Sequence, residues 1–131
     1  MRFRDYFNND FETSDNHSEK ELRTRYYRAR TEDAINAVKS LSDKIGFRVT
    51  GETGVGEVCV ESYRYFATIT CVETHPYEVA IDIKLITNHG IFDFGRGIKY
   101  IKEIYDNLDK TLQLKGVGLF RWFEKEEKWQ I

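Results

Sequence analysis

The sequence predicts an α+β domain: an antiparallel sheet of four to five strands in (β)αββββα order, with helices packed on one face as a two-layer sandwich. Three observations predict it. Apolar residues recur with period two between residues 47 and 86, as half-buried strands require. The connections between those runs are short, and parallel pairs need long crossovers, so the strands pair as an antiparallel meander. Two segments carry continuous apolar stripes at helical spacing, and each needs an apolar surface to cover.

The elements follow in order. Phe3, Tyr6, Phe7 and Phe11 fall at helical spacing and predict a short amphipathic helix over residues 1–12. Residues 12–21, "ETSDNHSEKE", are polar and read as a linker. Residues 22–29, "LRTRYYRA", suit a first strand. Thr31 is a good N-cap, Glu32 and Asp33 sit where the helix dipole favours acid, and Gly46 is placed to end the helix. Ala34, Ile35, Ala37, Val38, Leu41 and Ile45 line its inner face.

Strands are predicted over residues 47–50, 57–63, 65–73 and 77–86. The last alternates most cleanly, with Tyr77, Val79, Ile81, Ile83 and Leu85 on one face and Glu78, Asp82 and Lys84 on the other. Asp93 can cap a second helix, whose stripe Phe94, Ile98, Ile101, Tyr105, Leu108 and Leu112 advances by 4, 3, 4, 3 and 4 residues. Gly116 is its expected stop. The organisation expected is therefore an arm at 1–24, an α+β domain at 25–115 and an aromatic, charged tail at 116–131, one globular domain in all.

Composition narrows the function classes. The chain has 131 residues, 40% of them hydrophobic, enough for one core. A net charge of −2 gives no general attraction to nucleic acid or to acidic membranes. No apolar run reaches the roughly 20 residues that span a bilayer, and the N-terminus lacks the apolar segment of a secretory signal. Two cysteines do not make a disulfide framework, so a reducing cytoplasm is the expected setting.

Residues 47–58, "FRVTGETGVGEV", have the outline of a phosphate-binding loop. Aligned on Gly51 and Gly56, however, Glu57 stands where the phosphate-binding lysine belongs and Val58 where the magnesium-binding hydroxyl belongs. A strand, not a helix, follows. The glycines instead suit a turn between antiparallel strands. Cys59, Cys71, His75 and His89 match no standard zinc spacing, so neither metal nor cofactor is expected. Arg23, Arg25, Arg28 and Arg30 interleave with Tyr26 and Tyr27 but split between two strand faces, which suits a charged strand edge rather than a nucleic-acid stripe.

Residues 87–109, "TNHGIFDFGRGIKYIKEIYDNLD", resemble the end of an uncharacterised bacterial family, domain of unknown function 1499. "YYRARTEDAINAVKSL", "GFRVTGE" and "FATITCVE" are similar to the rest of it, so the resemblance spans roughly residues 25–112. Asp93, Gly95 and Arg96 carry its motif. The resemblance implies no established activity.

The leading expectation is a non-catalytic cytosolic interaction domain acting through protein contacts, as a homo-oligomer or with a protein partner. Phe120, Trp122, Phe123 and Trp129 mark its tail as a contact surface, with packing on the protein's own core as the plainer reading. The alternative is a helix-grip binder of a small apolar ligand, held where Val79, Ile81 and Ile83 face Phe94, Ile98, Ile101 and Tyr105. A third class is an enzyme using Glu73, His75 or Asp82 as acid or base. Gly95 and Gly97 conflict with helix propensity, so close packing or turn geometry is expected there, with anion binding by Asp93, Gly95 and Arg96 as the alternative.

Overall fold

The computed structural model describes residues 10–88 and 95–118. Its longest pairing is the hairpin of β5 (Tyr65–His75) and β6 (Glu78–Thr87), which runs from Tyr65 opposite Thr87 to His75 opposite Glu78. Pro76 and Tyr77 make the turn. Tyr77 takes a φ of 60°, a value that a turn demands and that glycine or asparagine usually supplies. The strand therefore starts at Glu78, and Tyr77, predicted to lead its inner face, lies outside it.

β4 (Glu57–Glu61) pairs with β5, and β3 (Arg48–Glu52) pairs with β4 as the outer strand. The glycine-rich segment is the β3–β4 turn. Thr53 donates its backbone N–H to Glu57, and Gly56 sits at φ 89° with its carbonyl accepting from Cys71. A Cβ on Gly56 would run into the Cys71 carbonyl, so glycine there is a packing requirement of the hairpin.

On its other side β6 meets two strands end to end. β1 (Asp10–Glu12) pairs with residues 84–86, and β2 (Arg25–Arg28) pairs with residues 79–81. β7 (Gln113–Val117) pairs with β2 and closes the order β3-β4-β5-β6-β2-β7. The described residues thus form an antiparallel sheet of seven strands. The α+β class and the antiparallel sheet stand. The predicted four to five strands in (β)αββββα order do not.

Both added strands have physical reasons. Phe11 fits helical spacing with the aromatics before it, yet it pairs with Leu85 and is 3% exposed. "QLKGV" reads as a helix end and a stop, yet Gly116 lies opposite Tyr26 and lets β7 close the edge.

Asp82 staples the gap between β1 and β2. Its Oδ1 accepts from the hydroxyls of Thr13, at 2.8 Å, and Thr24, at 2.5 Å. The Thr13 hydroxyl in turn accepts the Ile83 N–H at 2.8 Å, standing in for a strand carbonyl.

Helix α1 (Thr31–Ser40) packs over β4 and β5, and α3 (Arg96–Thr111) packs over β6, β1 and β7. A single-turn α2 (Ser42–Ile45) follows α1 and ends at Gly46, φ 74°. Arg30, not Thr31, holds the α1 cap position, and its N–H reaches the Asp33 carboxylate. The core lies between helices and sheet. Ile81, Ile83, Leu85, Ile101, Ile104, Tyr105 and Leu108 are wholly buried there. Arg25 adds a clamp: it donates to Asp109 at 2.6 Å and lies over the Tyr105 ring at 4.6 Å, and the Tyr27 hydroxyl donates to the same Asp109 at 2.7 Å. The expected solvated edge is thus half-closed at Arg25, whose side chain is 12% exposed between β7 and α3.

Candidate interaction face

Side chains alternate across a strand, so the residues between the core positions of β4, β5 and β6 project from the opposite side of the sheet. Among the described residues no helix lies on that side. The register puts Phe66 of β5 directly opposite Ile86 of β6, and Val72 opposite Ala80. Phe66 is 48% exposed, Val72 49% and Ile86 44%. Scattered exposed apolar residues are ordinary, but a directly opposed cross-strand pair is a contiguous patch.

The next row supplies polar neighbours. Cys59 lies opposite Thr68, and Thr68 opposite Lys84. With Thr50, Phe66 and Ile86 these residues line a shallow groove of about 270 Å³. Lys84 makes no ion pair among the described residues. Arg48 and Glu61 pair at the β3 end, at 3.2 Å.

The far end of the same face is polar and closed. Glu78 projects from it but is 1% exposed. Its Oε2 accepts from the Thr74 hydroxyl at 2.8 Å and lies 2.7 Å from His75 Nδ1, a contact that a carboxylate makes with the protonated nitrogen. Its Oε1 pairs with Lys115 of β7 at 3.2 Å. A buried carboxylate with three such neighbours ties the β5–β6 hairpin to β7. Beside it Tyr26, also buried, donates its hydroxyl to Asp15 at 2.5 Å.

The described residues predicted for the site form two groups, a core cluster between helix and sheet and the start of α3. Val79, Ile81, Ile83, Ile101 and Tyr105 are wholly buried and Ile98 is 8% exposed, all in one core cluster. Tyr105 closes the distance between helix and sheet by donating its hydroxyl to the Ile81 carbonyl at 2.6 Å. Burial first, then Asp82, pushes the Tyr105 phenol well above the ordinary tyrosine range. Gly95 stands at the α3 cap with φ 79°, and Arg96 is the first helical residue. A Cβ on Gly97 would come within 2.2 Å of the Phe11 ring atoms. Both glycines are thus explained by turn geometry and close packing. Asp93, Phe94, Phe120, Trp122, Phe123 and Trp129 lie outside the described residues.

Of the acid–base candidates, Asp82 is held by Thr13 and Thr24, and His75 by Glu78. Glu73 lines a separate cleft of about 310 Å³ with Arg30, Thr31, Glu32, Pro76 and Tyr77. Tyr77 is clamped there by Arg30, which donates to its hydroxyl at 2.7 Å and lies over its ring. The two cysteines do not meet. Cys59 is half-buried on the open face, and Cys71 is 1% exposed in the core. Burial pushes the Cys71 thiol up to about 12. No group of metal-binding side chains forms among the described residues. No described helix is long and apolar enough to cross a membrane.

Sequence reading missed Phe66 and Ile86 as a surface pair. Ile86 follows Lys84 by two residues and so belongs to the polar face, a signal present in the alternation itself. Its partner is set by register, which the sequence does not print. No family model and no curated protein matches this chain.

Proposed function

We propose that this chain is a non-catalytic interaction domain that works through protein contacts made on the open face of its sheet. The observation that carries the reading is the Phe66–Ile86 pair, directly opposed and half-exposed on a face without a helix among the described residues. Leaving such side chains in water costs about 25 cal/mol per Å² of apolar surface, and a partner recovers that on docking. The groove beside the pair gives a partner side chain a seat, and Lys84, Thr50 and Thr68 give it polar contacts to fix register. Kinship with the domain of unknown function 1499 family is proposed on the pattern at Asp93, Gly95 and Arg96, and it supplies no activity.

The test is a photo-cross-linking amino acid placed at position 86 in the expressed protein, against the same residue at position 55, where Val55 is 74% exposed on the β3–β4 turn. The reading expects discrete protein adducts from position 86 and none of comparable yield from position 55. Equal, diffuse labelling from both positions would refute it.

A further inference from the structure

We draw no further inference here: the strongest candidate, the buried Glu78 with His75, Thr74 and Lys115 at the β7 end of the open face, ties the hairpin to β7 and brings no group of metal ligands among the described residues, so nothing in the structure shows what it would hold or act on.

Discussion

The two sides of this sheet are built from the same strands and differ in what they cost the fold. On the helix side, Val58, Ile69, Ile81, Ile83 and Leu85 are wholly buried beneath α1 and α3. On the open side, Phe66, Val72 and Ile86 keep nearly half their surface in water, among threonines and charged residues. Alternation alone produces this division, because neighbouring residues must point opposite ways. The helix side carries the stability. The open side contributes polar staples, Asp82 with Thr13 and Thr24 and Glu78 with Thr74 and Lys115, around an apolar pair that stays half in water.

The largest expected effect breaks the comparison on the helix side. Ile83→Ala and Ile101→Ala should each cost about 2–5 kcal/mol, because both side chains are wholly buried and their removal leaves a cavity. Phe66→Ala and Ile86→Ala should each cost about 1 kcal/mol or less, since each is already half in water. Urea unfolding of the four variants checks the ratio. Equal losses on both faces would mean that the open face is structural.

High pH should attack the helix side as well. Burial, then Asp109, raises the Tyr27 phenol, and burial chiefly raises those of Tyr65 and Tyr105. A raised folded value means stability that is whole below the unfolded tyrosine value of 10.0 and is lost as pH climbs above it. Tyr105→Phe removes one such group while keeping the ring, so stability should fall less steeply with pH above 10.0 than in the parent protein. At neutral pH the same change removes the hydrogen bond from the Tyr105 hydroxyl to the Ile81 carbonyl and should cost about 1 kcal/mol. Thermal melts from neutral pH to pH 11 follow both.

The α3 start tests close packing at a smaller scale. Gly97→Ala should cost about 1–3 kcal/mol by forcing the Phe11 ring aside, and the cost should shrink in a Phe11→Leu background. Gly95→Ala should cost about 1–2 kcal/mol through its left-handed φ of 79°, with no such rescue. Identical behaviour in the two backgrounds would separate Gly97 from Phe11.

Much of this architecture is legible in the sequence, and the exceptions share a cause. The α3 stripe and the β6 alternation are local periodicities, so Ile101, Tyr105, Ile81 and Ile83 are legible as residues facing one another, expected either as core or as the lining of a ligand cavity, and they pack in one core cluster. Phe11 and Gly116 were misread because local spacing pointed elsewhere, and their partners, Leu85 and Tyr26, lie far along the chain. Arg25 misled for the same reason: its carboxylate partner is Asp109, on a helix at the other end of the chain. The candidate face was hidden differently. Ile86 and Phe66 are each visible as apolar residues at polar-face positions, but only the β5–β6 register makes them one patch.

Thiol chemistry separates the faces without perturbing either. In the native protein a thiol reagent should modify Cys59, on the open face, and spare Cys71, whose buried thiol sits at about 12. Peptide mapping by mass spectrometry reads the two sites directly, and rapid labelling of Cys71 would contradict the assignment of faces.

The central claim is that a protein partner covers the open face in the cell, and Cys59 lines the groove that such a partner would fill. The most direct measurement is the rate at which iodoacetamide modifies Cys59 in intact cells, relative to the cysteine of a Val55→Cys variant on the exposed turn, compared with the same ratio for the purified protein. The account predicts a lower ratio in the cell, restored to the purified value by Phe66→Asp; the same ratio in both settings would contradict it.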